Sequence, residues 1–326
     1  MTNDIFEIVD NKGYLEKITC GLSMIDDSIG GFTCGGNYLV AGHRKSGKSS
    51  LLIGFVNHWL TKGITVGYLN SEMDERHLMD MLQANYFDKP KNELSHEDDQ
   101  LYKNMFRSKF LYSDPDSIRD SLGLSVTKIE SEILGHVHAG ARIIVADNLT
   151  KLQESVPNGK SGYTNLAAGV SAITKICRSE NLLGFTVLHT KDDLMFTETP
   201  EGIAKAVADK LPEKIFEKSV TILKKPSSAS VYGGGSSRTD LLGTILLWRP
   251  YQMFSDPNYA ELSQLIFEDF RGEPPPESLR LMFNGSKNKF VEDMAEVAKK
   301  IFESKTNSVS EIEQTRLQSE SSEIPF

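Results

Sequence analysis

The chain has 326 residues, 39% of them apolar, and a formal charge of -9, which suits a globular protein with a sizeable core and argues against a surface coated with positive charge for wrapping duplex DNA. No apolar run reaches the roughly 18 residues of a membrane helix, and "MTNDIFEIVDNK" lacks the basic-then-apolar pattern of a signal peptide, so the default expectation is a cytosolic setting. Three dispersed cysteines, Cys20, Cys34 and Cys177, indicate neither a disulfide scaffold nor a zinc cluster.

Residues 1–14 read as an N-terminal extension, 15–302 as one domain, and 303–326, polar and rich in serine and glutamate, as a tail expected to be disordered. From about 18 the chain offers a short amphipathic segment, a glycine-rich turn and a strand at 37–41. Leu51, Leu52, Phe55, Trp59 and Leu60 then recur at helical spacing, so one helix face is committed to a sheet. The segment "ITVGYLN", 64–70, is apolar enough for a central parallel strand. A helix over "DERHLMDMLQANYF" follows, and 88–100 reads as a solvated acidic connection. Next come the strand "KFLYSD", a helix near 117–138, the apolar strand "ARIIVAD" at 141–147, a polar loop at 152–164, a helix near 165–180 and the strand "LLGFTVLH" at 182–189. This alternation predicts an α/β domain of three αβα layers around a mainly parallel sheet. Residues 190–240 look like a loop-rich excursion with one helix-like stretch, "IAKAVADKL", after which "LLGTILLWRP", "LSQLIFEDFRG" and "LRLMFNGSKNKFV" predict short antiparallel strands.

Between the first strand and the first long helix lies "AGHRKSGKSS", in which Gly42, Gly47, Lys48 and Ser49 satisfy G-x-x-x-x-G-K-[ST]. The motif predicts a loop whose backbone N–H groups cradle the phosphates of ATP, with Lys48 on the β- and γ-phosphates and Ser49 on Mg²⁺. Arg44, Lys45, Ser46 and Ser50 are further candidate nucleotide contacts, and His43, Arg44 and Lys45 read equally as solvated loop positions. Asp147 ends the apolar strand "RIIVAD", where a carboxylate can hold Mg²⁺ together with Ser49; Asn148 would orient it. Glu72, just past the neighbouring strand, is a candidate for activating the attacking water, with Ser71 in support. The competing reading makes Glu72 a helix N-terminal acid alongside Asp74 and Glu75. His189, at the end of "FTVLH", is either a structural strand-end residue or a sensor of the γ-phosphate.

The succession "GLSMIDDSIGGFTCGG", "GHRKSGKSS", "YLNSEMD", "RIIVADNL", "TVLHTK" and "LLWRP…FEDFRGEPPPESLRLMFNGSKNKFV" resembles the RecA-type ATPase domain of the DnaB-like, superfamily 4 replicative helicases over about residues 15–292. That resemblance implies a RecA-like P-loop NTPase fold, a ring, usually a hexamer, with nucleotide between subunits, and single-stranded DNA in the channel. It implies a replicative helicase activity, a primase or loader as partner, and the cytoplasm of a bacterial or phage-infected cell, with an organelle left open. His189 matches the strand-end polar residue in its phage-type and mitochondrial form, and Arg271 matches the arginine that reaches a neighbour's γ-phosphate. Two residues depart from the pattern: Asp269 stands where a lysine is common, and Gly272 where asparagine is usual. With about 15 residues ahead of the ATPase, the separate N-terminal domain of bacterial members is not expected.

Contacts to DNA are expected from the loops after Asp147 and His189, with Lys151, Lys160, Lys191, Lys205, Lys210 and Arg238 as the basic candidates, joined by Tyr163 and Lys214. Glu154, Asp192, Asp193, Glu198 and Glu201 dilute that charge and keep a plain solvent-loop reading open. A nucleotide-dependent switch or interaction module in replication, recombination or repair, without strand separation, is the alternative function.

Overall fold

The computed structural model describes residues 16–154, 162–191, 194–197, 220–231, 241–250, 252, 260–271 and 274–292. Near its start, the short strands β1 (Lys17–Ile18) and β2 (Phe32–Thr33) pair across helix α1 (Ser23–Ile29). The six strands β12 (Gly243–Trp248), β3 (Gly36–Gly42), β9 (Leu183–His189), β8 (Ile143–Asp147), β4 (Val66–Asn70) and β5 (Phe110–Ser113) then pair in parallel, in that spatial order. Antiparallel pairing carries the sheet outward from β12 through β13 (Leu262–Glu268), β14 (Leu279–Asn284) and β15 (Lys289–Glu292). The result is one nine-stranded sheet, β15-β14-β13-β12-β3-β9-β8-β4-β5. This is the RecA-like, three-layer α/β arrangement that the sequence predicts.

Side-chain alternation divides the core between the two faces of the sheet. Tyr38, Val40, Ile143, Val145, Phe185 and Val187 face one layer, with helices α2 (Lys48–Thr61), α3 (Glu75–Phe87) and α4 (His96–Phe106). Leu39, Ala41, Ile144, Ala146 and Leu188 face the other, with α5 (Val126–His138) and α6 (Gly162–Ser179). Both faces are covered, so β3, β4 and β8 are buried at every position, which explains their near-continuous apolar sequences. Phe32, Tyr38, Phe55, Trp59 and Phe185 interlock edge to face and offset beneath α2.

Three expectations need correction. Residues 88–100 are not simply a connection, because α4 begins within them at His96. Ser95 accepts from the Asp98 N–H and the Asp98 carboxylate accepts from the Ser95 N–H, a reciprocal cap. Glu97, Asp98 and Asp99 occupy the first turn, where acids are favoured, and Tyr102 and Phe106 bury the inner face. The helix expected from 117 begins only at Val126, after a small hairpin pairing β6 (Arg119–Asp120) with β7 (Gly123–Leu124). The loop expected to run to 164 ends earlier, since α6 starts at Gly162. Ser95→Ala is expected to lower stability by about 1 kcal/mol, as a lower urea midpoint with an unchanged slope.

A chain of buried amides and hydroxyls ties the helices to the C-terminal hairpin. Tyr102 Oη donates to Asn57 Oδ1 at 2.7 Å, Asn57 Nδ2 to Asn85 Oδ1 at 2.9 Å, and Asn85 Nδ2 to the Asn288 carbonyl at 3.0 Å. The Ser50 hydroxyl closes the chain on Asn288 Oδ1 at 2.5 Å. Ser50 therefore directs its side chain to the β14–β15 turn.

Of the loop-rich excursion, the structure describes an antiparallel pairing of β10 (Leu194–Thr197) with β11 (Val220–Leu223). The extension 1–14, the stretch "IAKAVADKL" and the tail 303–326 lie outside the described residues, as do Lys160, Lys205, Lys210, Lys214, Arg238 and Gly272. Among the described residues no helix is long and apolar enough to cross a membrane, and no group of three or more His, Cys, Asp or Glu side chains is placed to hold a metal ion.

Candidate functional site

Parallel pairing brings the C-terminal ends of the central strands to one edge of the sheet. In register, Gly42 lies opposite His189 and Leu247, and Asn70 lies opposite Asp147. Residues from well-separated sequence segments thus line one cleft of about 370 Å³, among them Lys48, Ser49, Glu72, Asp147, Asn148 and His189. Ligands of open α/β sheets bind at this carboxyl edge.

The loop between β3 and α2 has the shape its glycines require. A Cβ on Gly42 would collide with the Leu247 carbonyl, and one on Gly47 would meet the Phe290 ring at 2.9 Å. Gly47 also has φ 98° and Lys45 φ 59°, so the loop contains left-handed positions of the kind that turn successive N–H groups inward. Lys48 is buried, its Nζ donating to the carbonyls of Gly42 at 3.0 Å and His43 at 2.7 Å. The Ser46 hydroxyl is buried with no hydrogen-bond partner among the described residues. A polyphosphate fits this cradle, because it supplies acceptors for Lys48, Ser46 and the helix N-terminus.

Arg44 and Lys45 are exposed. His43 is buried, its Nε2 hydrogen-bonding the Lys224 carbonyl at 2.9 Å.

Asp147 is buried beside the cradle. Burial pushes its carboxyl above the usual carboxylate range, while hydrogen bonds from Ser49 and Tyr68 and the charge of Lys48 pull the other way. Tyr68 Oη donates to Asp147 Oδ2 at 2.7 Å, and burial followed by the Asp147 charge drives that phenol well above its ordinary value. A divalent cation suits this donor set of a carboxylate and the adjacent Ser49 hydroxyl, since it would favour the ionised carboxylate that burial disfavours.

Asp74, not Glu72, caps α3: its carboxylate accepts from the His77 N–H at 3.1 Å. Glu72 stays outside the helix, where its N–H and that of Met73 are held by Asn70 Oδ1 at 3.3 and 3.0 Å. Its carboxylate lies 3.6 Å from Lys151 Nζ. The Ser71 hydroxyl donates to the Asn148 carbonyl at 2.5 Å and accepts from the Asn148 N–H at 3.0 Å, clasping the Glu72 segment to the end of β8. Arg119 reinforces it from the small hairpin, donating to the Ser71 carbonyl at 2.9 Å.

Asn148 also reaches the end of β9. Its Oδ1 accepts from the Thr150 N–H at 2.8 Å, which assigns Nδ2 as the donor facing His189 Nε2 at 3.0 Å. Nε2 is then the acceptor, and the imidazole is in its Nδ1–H tautomer.

Arg271 lies elsewhere. Its N–H donates to the Leu242 carbonyl at 2.9 Å, and Leu242 in turn bonds to Asn37, five residues before Gly42 on the neighbouring strand. At about 3.3 Å per residue that is roughly 16 Å down the sheet from the cradle, beyond the reach of one side chain. The Arg271 side chain is exposed.

The sequence did not single out Tyr68, Arg119, Lys91 or the pair Arg249 and Phe283. Tyr68 carried a usable signal, because a tyrosine inside an apolar strand needs a partner for its hydroxyl. The others did not. Arg249 stacks 4.5 Å from the centre of Phe283, a ring that lines the cleft, and donates to the Lys45 carbonyl at 3.4 Å, contacts that depend on distant segments meeting. Lys91, half-buried in the same cleft, has its pKa lowered by burial, against the opposing charge of Asp80.

A family model described as the DnaB-like helicase C-terminal domain matches residues 17–180. A search with the sequence matched no curated protein. Among solved structures, one described as an ATPase domain superposes with a TM-score of 0.64 at 13% identity, over 88% of this chain and 95% of that one. A DnaB-like replicative helicase, whose structure also describes its interactions with primase, gives 0.64 at 13% identity over 88% of this chain and 64% of that one. The KaiC-like protein PH0186 from the hyperthermophilic archaeon Pyrococcus horikoshii OT3 gives 0.56 at 13% identity, over 85% and 99%.

Proposed function

The chain belongs to the family of the DnaB-like helicase C-terminal domain, and from that premise we propose that it is an ATPase whose turnover drives a ring of subunits along single-stranded DNA. The observation that carries this reading is the meeting of Lys48, Ser49, Glu72, Asp147 and His189 at one sheet edge around one cleft. Lys48 is poised to exchange its two backbone carbonyls for the β- and γ-phosphates of ATP, to which the buried Ser46 hydroxyl can also donate. Ser49 and Asp147 would hold Mg²⁺, whose charge offsets that of the phosphates. Glu72 orients the attacking water and takes its proton, and His189, locked by Asn148, reads the state of the γ-phosphate. Arg271, set far from its own cleft, serves the cleft of a neighbouring subunit, which makes the ring part of the chemistry. A primase or loader is a candidate partner on the analogy of the replicative helicase alone.

The test joins assembly to turnover: native mass by light scattering with ATP and Mg²⁺, with and without a long single strand, beside steady-state hydrolysis. Ring-sized particles and faster hydrolysis on single-stranded DNA are expected. Nucleotide-dependent assembly with no effect of DNA, over several oligonucleotide lengths at low salt, would overturn translocation and leave an ATPase switch.

A further inference from the structure

Lys151 sits where the proposed chemistry has no use for a second cation. Its ammonium lies 3.6 Å from Glu72 Oε1, with 39% of the lysine side chain and 35% of the glutamate exposed. A carboxylate that must orient water and accept its proton is hindered by such a neighbour, because the attraction of the ammonium draws it toward Lys151 and away from a water at the phosphate. Lys151 is also part of the edge that reads the phosphate site. It lies in the short turn Thr150–Gln153, with one residue between that turn and Asn148, and Thr150 Oγ1 accepts from the His189 N–H at 3.0 Å.

We propose that Lys151 is a brake on hydrolysis: it holds Glu72 in the resting chain and releases it when a phosphate of single-stranded nucleic acid binds at this turn and takes the ammonium. This rests on the reading of Glu72 as the residue that activates water. The exchange suits Lys151 and not Lys48. Lys48 is buried and fixed on two carbonyls, whereas Lys151 and Glu72 are both partly solvated, so the lysine passes from carboxylate to phosphate with little change in hydration. The loss of one phosphate-binding cation from the brake and the gain of one by the nucleic acid are the same event, which couples binding to turnover without any rearrangement of the sheet.

The test compares kcat and KM for ATP in the full-length wild type, Lys151→Met, Lys151→Arg and Glu72→Gln, alone and with oligothymidylate at low salt. Lys151→Met is expected to raise kcat without nucleic acid by about two- to fivefold, the range that exposed ion pairs span, with KM unchanged. Lys151→Arg keeps the charge and is expected to keep the low basal rate, and oligothymidylate should stimulate wild type and Lys151→Arg more than Lys151→Met. An unchanged or lower basal kcat in Lys151→Met, or a rise in Lys151→Arg equal to that in Lys151→Met, would overturn the brake. Equal stimulation of all three would overturn the exchange with nucleic acid. Substantial turnover by Glu72→Gln instead removes the reading of Glu72, a failure separate from a silent Lys151→Met in a protein whose Glu72→Gln form is inactive.

Discussion

Glu72→Gln is expected to lower kcat for ATP hydrolysis by about two to four orders of magnitude, the contribution of a positioned general base, while nucleotide binding persists. That range corresponds to about 3 to 5 kcal/mol of transition-state stabilisation. Glutamine keeps the size of the side chain and its capacity to hold a water, and loses only the negative charge and the ability to take a proton. The fold has little reason to object, because the Glu72 carboxylate caps no helix and its backbone N–H is held by Asn70. Glu75→Gln is the matched control: Glu75 sits in the first turn of α3 and contributes at most to the helix dipole, so its turnover should remain near wild type. Steady-state hydrolysis beside binding of a fluorescent ATP analogue decides the matter. If Glu72→Gln turns over within about tenfold of wild type, no general base is lost with it, and Glu72 is an ordinary exposed acid.

Which parts of this site could be read from the chain depended on how local each one was. The cradle was legible because its glycines, lysine and serine are contiguous and the steric demands on Gly42 and Gly47 are met within a few residues. Asp147 and His189 were legible as ends of apolar strands, since parallel strands deliver their C-terminal residues to one edge. For Glu72 the sequence left two readings open, and only the hydrogen bond from the His77 N–H to Asp74 shows which acid the helix uses. Helix α4 was missed for a physical reason: Glu97, Asp98 and Asp99 look like solvent-facing acids until Ser95 is seen to close the cap, and its buried face rests on only Tyr102 and Phe106. Lys151 shows the opposite limit. As a basic residue in a polar loop it read as a DNA contact, and nothing in its neighbours in sequence announced a carboxylate 79 positions earlier in the chain.

Arg271→Ala is expected to reduce hydrolysis by about a thousandfold or more while sparing nucleotide binding, as the loss of an arginine that stabilises charge on the transferring phosphoryl group does. The position of Arg271 makes a stronger prediction than the single variant, because its backbone is anchored at the far end of β12 from the cradle. Phe270 packs against Tyr38 and Phe267, each at 5.8 Å between ring centres, and Asp269 takes φ 56°, so the turn that presents Arg271 is fixed by its own core contacts. Asp269 occupies the place of an expected lysine without disturbing that anchor. If the arginine acts across a head-to-tail interface, Arg271→Ala and Lys48→Ala must complement one another. Each variant alone has no complete site, but an Arg271→Ala subunit offers its intact cradle to the intact arginine of a Lys48→Ala neighbour. Random mixing in equal amounts should then restore about a quarter of the wild-type sites, since each interface needs one particular subunit on each side. Recovery that requires mixing before assembly, measured as hydrolysis against the mixing ratio, would establish the arginine in trans. Two inactive variants that stay inactive in mixed assemblies, with native mass showing that they co-assemble, would confine Arg271 to a structural part in its own subunit and leave the cleft complete without a neighbour.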